Sequence, residues 1–221
     1  GQGFLVIWLD SKTNYIDIVS TNFALNDKGE QVFLYNGSVQ QDSVSFGPQI
    51  KNYGLCRVPD GTGSWFLGAQ SPGSSNTAVV LGLPTEVRIN ELLATNSVGS
   101  DWLELFNPYT NFPVDLSGMI LTDTDPADAP GIVSNTFLGT GGFLRFWCTG
   151  KNNAPNNLDF KLSSTSGETV SLYATNRVDL IDSITFGPQD GDISYGRLPD
   201  GGTNFFFFSP ANRLSPGAPN E

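Results

Sequence analysis

Phe186-Gly187-Pro188-Gln189, followed eight residues after Gln189 by Arg197-Leu198-Pro199-Asp200-Gly201, is the key to the architecture of this chain. An earlier stretch, Phe46-Gly47-Pro48-Gln49 with Arg57-Val58-Pro59-Asp60-Gly61, repeats it at identical internal spacing. The match extends outward on both sides. Upstream, Asp42-Ser43-Val44-Ser45-Phe46 parallels Asp182-Ser183-Ile184-Thr185-Phe186, and Glu30, Val32 and Leu34 parallel Glu168, Val170 and Leu172. Further back, Phe23-Ala24-Leu25 stands where Phe160-Lys161-Leu162 stands, and Phe4 to Trp8 where Phe143 to Trp147 stands. Downstream, Ser71-Pro72-Gly73 with Asn76 answers Ser215-Pro216-Gly217 with Asn220. Residues 1–76 therefore repeat residues 140–220.

The repeated unit reads as strands and tight turns. Alternation of period two at Glu30, Val32 and Leu34 marks a half-buried strand, and Asn36-Gly37 marks a hairpin. Gly-Pro ends a strand because proline has no N–H for the ladder, and Pro-Asp-Gly sets a turn through one fixed φ and one glycine free to take positive φ. Gly 25, Pro 14 and Phe 16 in 221 residues, with no sustained 3.6-residue period, make the chain all-β. Residues 77–85 read as a linker ending near Pro84. From Val87 onward new strands appear, Val87 to Leu92, Asp101 to Phe106 and Val114 to Leu121, with no counterpart in residues 1–76. The first repeat is thus expected to be incomplete, its first strands absent. A sheet lacking them exposes edges that proteins normally cover. The gap is filled by a preceding polypeptide, by strands from a neighbouring protomer or the second domain, or tolerated in a reduced variant.

Charge and composition exclude several functions. The net charge is −11, of which residues 86–221 carry −9 (seven basic, sixteen acidic). Such a surface repels phosphate backbones, so nucleic acid is not an expected partner. Absence of histidine removes Ser-His-Asp and Cys-His catalysis and the usual zinc ligand. Cys56 and Cys148 occupy non-corresponding positions, so they read as buried free thiols or as one bridge between domains. The longest apolar runs, Phe4 to Leu9 and Ala78 to Leu83, are six residues each, too short for membrane insertion as a helix.

Several short motifs in order resemble the bacterial lamin-tail domain. They are Ile89-Asn90-Glu91, Asp101-Trp102-Leu103-Glu104-Leu105-Phe106-Asn107, Val114-Asp115-Leu116-Ser117-Gly118, Leu121-Thr122-Asp123, Ser194-Tyr195-Gly196-Arg197 and Ser215-Pro216-Gly217. The resemblance covers residues 86–221 in full and residues 1–76 as the later part of the same domain. It implies an immunoglobulin-like β-sandwich in tandem, without catalytic residues, in bacterial secreted or cell-surface proteins.

Four constellations are candidates for sites. Asp42 with Arg57, and Asp182 with Arg197, read as repeated structural ion pairs in which the guanidinium forks onto a carboxylate. Glu91 and Glu104, on neighbouring strands, have the residue types of a glycosidase pair, but nothing adjacent in sequence points to a raised pKa, and structural carboxylates are the expectation. Asp123, Asp125 and Asp128 crowd a proline-containing loop and suggest calcium, although Ala127 breaks the EF-hand pattern and a solvated acidic loop is the competing reading. Phe205, Phe206, Phe207 and Phe208, with Trp65 and Phe66 in the first repeat, read either as a strand covered on both faces or as an interface. No cofactor is expected apart from that calcium. The expected function is a non-catalytic extracellular structural or interaction module, with strand complementation of the first repeat. The alternative is a carbohydrate- or surface-binding accessory domain of a secreted hydrolase, signalled by aromatic residues in a row on a solvent-facing sheet.

Overall fold

The computed structural model describes residues 3–10, 19–209 and 215–220. They form an all-β structure with one short 3-10 turn at Pro84–Glu86. The first repeat holds β1 (Glu30–Asn36), β2 (Val39–Phe46), β3 (Gly54–Val58) and β4 (Ser64–Gly68). The strands without earlier counterpart are β5 (Arg88–Leu93), β6 (Asp101–Phe106), β7 (Val114–Asp115), β8 (Ile120–Thr122) and β9 (Phe137–Leu138). The second repeat holds β10 (Phe143–Cys148), β11 (Asn157–Leu158), β12 (Glu168–Tyr173), β13 (Leu180–Phe186), β14 (Ser194–Arg197) and β15 (Phe205–Phe208).

The repeat seen in sequence is a repeat of backbone geometry. In β1–β2, Leu34 pairs with Asp42 and then a bulge brings Tyr35 opposite Gln40; in β12–β13, Leu172 pairs with Asp182 and the same bulge brings Tyr173 opposite Leu180. Trp8 bridges Ser20 in parallel just as Trp147 pairs in parallel with Asn157. Gly29 and Gly167 both take positive φ, and a Cβ added there would collide with the carbonyls of Phe46 and Phe186 respectively. Only glycine lets the chain pass so close to the neighbouring strand.

The two repeats differ in what covers them. In the second, the sheet β11-β10-β6-β5-β14-β15 and the sheet β13-β12-β8 enclose one apolar core. Alternation places Leu103 and Leu105, Leu92, Phe146, Val170, Leu172 and Ile184 on the inner faces, and all are at most 2% exposed. Every member of this cluster lies between Val87 and Phe186. Among the described residues, the first repeat has only two two-stranded sheets, β1-β2 and β3-β4, and no strand joins β3 to residues 4–8. Leu34, the counterpart of fully buried Leu172, is 59% exposed.

The segment expected to be a linker is partly built into the sheet edge. Ala78 bridges Gly68, Val79 N–H donates to Leu67 O at 2.9 Å, and Gly82 N–H donates to Pro113 O at 2.9 Å. The open edge of β4 offers backbone groups that this stretch satisfies. The first repeat also rests on the β8–β9 connection. Asn135 Nδ2 donates to Ser45 O at 2.8 Å, Gln49 Nε2 donates to Asn135 O at 3.1 Å, and Gly47 packs against Thr136.

Candidate functional site

Each repeat builds one turn around its arginine. In the second, Arg197 Nη2 meets both oxygens of Asp182, at 2.9 and 3.0 Å, and Nη1 reaches the carbonyl of Gly202. Asn220 Nδ2 donates to Arg197 O at 2.8 Å and its backbone N–H donates to Asp200 Oδ1 at 3.0 Å. In the first, Arg57 Nη2 meets Asp42 Oδ1 at 2.7 Å, Asn76 Nδ2 donates to Arg57 O at 3.0 Å, and Asn76 N–H donates to Asp60 Oδ1 at 2.9 Å. Each guanidinium also lies 4.5 Å from an aromatic centroid, Trp65 or Phe205. The strand end, the turn and the Ser-Pro-Gly segment are thereby tied together, which is why these residues recur at fixed spacing.

One contact is not shared. Arg197 Nε donates to the Ile89 carbonyl of β5 at 2.8 Å, and Ile89 N–H donates to Asp182 Oδ2 at 2.8 Å. Among the described residues, the first repeat has no equivalent of β5, and Arg57 Nε is buried without a hydrogen-bond partner. Beside it lies an apolar groove of about 430 Å³ lined by Leu25, Val32, Val44, Phe46, Leu55 and Trp65. The counterparts of Val32, Val44 and Phe46 are Val170, Ile184 and Phe186, all sealed in the core.

Glu91 and Glu104 prove to be a buried carboxyl pair. They face each other across β5 and β6 on the outer face of the six-stranded sheet, roofed by Ser215–Asn220, and neither has exposed surface. Ser194 Oγ donates to Glu91 Oε1 at 2.5 Å and Ser215 Oγ to Oε2 at 3.2 Å. Gly217 N–H donates to Glu104 Oε2, while Oε1 is buried without a partner among the described residues. Burial pushes Glu91 up to about 7 against the opposing serine hydrogen bonds. Burial also pushes Glu104 up to about 8, opposed by the Gly217 bond and reinforced by the charge of Glu91. The sequence next to the pair did not point to this rise in pKa. Its cause is the C-terminal segment, more than a hundred residues away in sequence, which excludes water from the pair. The available signal was the apolar flanking of both glutamates, in Ile-Asn-Glu-Leu and Leu-Glu-Leu.

The acidic loop does not assemble as a calcium site. No group of three acidic side chains close enough to hold a metal occurs among the described residues. Asp125 Oδ1 instead accepts the N–H of Ala127 at 2.9 Å. The loop carbonyls of Pro126, Ala127 and Ala129 converge on Arg177 Nη1, a guanidinium from the β12–β13 turn. Partial burial raises the Asp123 carboxyl, and the charge of Asp159 adds to that.

The phenylalanine run is not covered along its whole length on either face. Phe208 is buried and Phe205 half-buried against the core, but Phe206 and Phe207 are 48% and 62% exposed. Phe205 and Phe207 both lie beside Tyr195, at 5.4 and 4.9 Å, as strand alternation requires. In the first repeat Trp65 is half-buried and Phe66 is exposed. The two cysteines are free and buried. Cys56 takes the place of Gly196, and Gly68 the place of Phe208. The Cys56 sulfur fills the space that a Gly68 Cβ would need, so the first repeat exchanges a small-large pair for a large-small one. Among the described residues, no helix is long and apolar enough to cross a membrane. No family model, curated protein or solved structure matches this chain.

Proposed function

We propose that this chain is a non-catalytic interaction module of a bacterial extracellular or cell-surface protein, built of two lamin-tail-like units of immunoglobulin-like β-sandwich type. In this reading residues 86–221 are a complete unit and residues 1–76 an open one. The observation that carries the reading is the apolar groove of the first repeat, whose counterpart in the second repeat is filled by core strands. Open sheet edges with an apolar floor are surfaces that bind polypeptide by strand addition. The test is uptake of an apolar fluorescent dye and its displacement. Saturable uptake, abolished by Leu55→Asp but unaffected by a change at exposed Val178, supports the reading. A chain that takes up no dye and shows no dependence on Leu55 overturns it.

A second reading has one observation in its favour. Phe106 and Phe143 stack at 4.8 Å on the outer face of the six-stranded sheet, with Trp147 two pleats along and Arg145 over its ring at 4.2 Å. Phe143, Arg145 and Trp147 border a cleft of about 600 Å³ that also includes Gln49, Asn156 and Asn157. Aromatic faces beside amide groups suit a carbohydrate chain. Loss of polysaccharide retention on affinity gels in Trp147→Ala would support that accessory role, and absence of retention by the wild-type chain would end it.

A further inference from the structure

We infer that the first repeat is the acceptor for a two-stranded β-hairpin of the β5–β6 pattern, donated by a partner polypeptide, one backbone carbonyl of which pairs with Arg57 Nε. The inference rests on the interaction reading above and specifies its partner.

The second repeat serves as the template. There β5 and β6 lie side by side between β10 and β14, in the order β10-β6-β5-β14. Among the described residues, the first repeat has counterparts of the outer two strands only: residues 4–8 match β10, and β3 matches β14. In the template two strands separate the outer pair, and those two are consecutive and antiparallel, joined through residues 94–100. A hairpin is therefore the smallest piece that closes the sheet. The edges facing the gap are bare. Phe4, Leu5, Val6, Ile7 and Trp8 are 39–72% exposed, although Trp8 keeps its parallel bridge to Ser20 on the far side.

Polar chemistry fixes the register. A buried guanidinium N–H with no acceptor is costly, and such groups in native proteins are ordinarily paired. Arg57 Nε is in that state among the described residues, and its counterpart Arg197 Nε donates to Ile89 O of β5. Asp42 points one oxygen at Arg57, while Asp182 uses its second oxygen to accept Ile89 N–H. The first repeat thus retains both halves of a clamp that grips one residue of an incoming strand, donor and acceptor together. Below the clamp, Val32, Val44, Leu55 and Trp65 line the groove that inward side chains at the Leu92 and Leu103 positions would fill.

The occupant differs from β5–β6 in one respect. Ser194, which holds Glu91, is replaced by Gly54, and Gly196 is replaced by Cys56. Ser71 keeps the place of Ser215, but the hydroxyl that makes the shorter bond to Glu91 is gone, so the acceptor holds a buried carboxylate less well and the hairpin carries an uncharged residue at the Glu91 position. A second protomer is a poor source. Its own β5–β6 hairpin is buried in the second repeat, and donating it opens one core for each core it closes.

The experiment is titration of the full chain with synthetic peptides by calorimetry and amide hydrogen exchange. The probe is the sequence of residues 86–107, with a second peptide carrying Glu91→Val and a third carrying Leu92→Asp and Leu103→Asp. Expected are 1:1 binding of the first, tighter binding of the second, none of the third, and protection of β3 and residues 4–8 by about tenfold or more. Arg57→Gln, checked for an unchanged circular dichroism spectrum, weakens the second peptide by about tenfold, since a hydrogen bond to a charged group is lost. Because the peptide series varies the ligand alone, the result stands even if the Arg57 variant misfolds. Failure of both hairpins to bind while dye uptake persists overturns this inference and leaves the interaction reading intact. Undiminished binding to the Arg57 variant overturns the register. A wild-type chain that sediments as a dimer with the groove closed overturns the external hairpin and assigns the site to a second protomer instead.

Discussion

Replacing Glu104 by glutamine is expected to stabilise this protein above neutral pH and to weaken its pH dependence. Glu104 ionises at about 8 in the folded chain against an ordinary value of 4.5. Between those values the native state keeps a proton that the unfolded chain has released, so rising pH favours unfolding. The stabilisation is fully present below about 4.5 and is lost as pH rises through about 8. Glu91, at about 7, has the same sign over an overlapping window. A tenfold change in an ionisation constant is worth about 1.4 kcal/mol, but the two groups share one buried site and titrate as a pair. The loss between pH 5 and 8.5 is therefore roughly 2–4 kcal/mol rather than the sum. For a chain of this size that is a fall in Tm of about 5–15 °C. The glutamine side chain is neutral at every pH, accepts the Gly217 N–H with its oxygen and places an amide where Oε1 lacks a partner. Thermal unfolding of wild type, Glu104→Gln and Glu91→Gln across pH 5–8.5 checks this. A wild-type Tm that is flat or rises with pH, or a slope unchanged in Glu104→Gln, would refute the argument. The same titration loosens the roof, so exchange at Gly217 should quicken with pH beyond its intrinsic dependence in wild type but not in the variant.

The asymmetry of the repeats and the closure of the acidic loop can be tested in the same way. Arg197→Met strands Asp182, whose side chain is only 12% exposed, and is expected to cost about 3–5 kcal/mol in urea unfolding. Arg57→Met, at a pair whose Asp42 side chain is 46% exposed, should cost at most about 1 kcal/mol; equal costs would contradict the structure. Gly47→Ala would drive a Cβ into Thr136 Oγ1 and should raise proteolytic cleavage between the repeats, with partial rescue by Thr136→Ala. Calcium titrated to millimolar concentration should give no binding heat and no change in Tm, because Arg177 occupies the loop carbonyls; a saturable heat lost in Asp125→Asn would restore a metal site.

Local signals account for the all-β class and for the duplication. Alternation, Gly-Pro stops and Pro-Asp-Gly turns are legible because strand and turn propensities act over a few residues. The duplicated spacing of Asp42 with Arg57 and Asp182 with Arg197 located ion pairs that lie at 2.7 and 2.9 Å. It also showed that β5 to β9 have no counterpart in residues 1–76. The remaining features depend on contacts between residues far apart in the chain. The carboxyl pair becomes buried when Ser215 and Gly217 close over it; the apolar neighbours of each glutamate signal a buried strand but not what roofs it. Arg177, remote in sequence from the acidic loop, ties down its carbonyls. Phe206 and Phe207 stay exposed because β15 ends its sheet, which a strand's own pattern does not reveal. The unpaired Nε of Arg57 is legible only against the paired Nε of Arg197, since an orphaned donor is defined by what three-dimensional packing fails to bring to it.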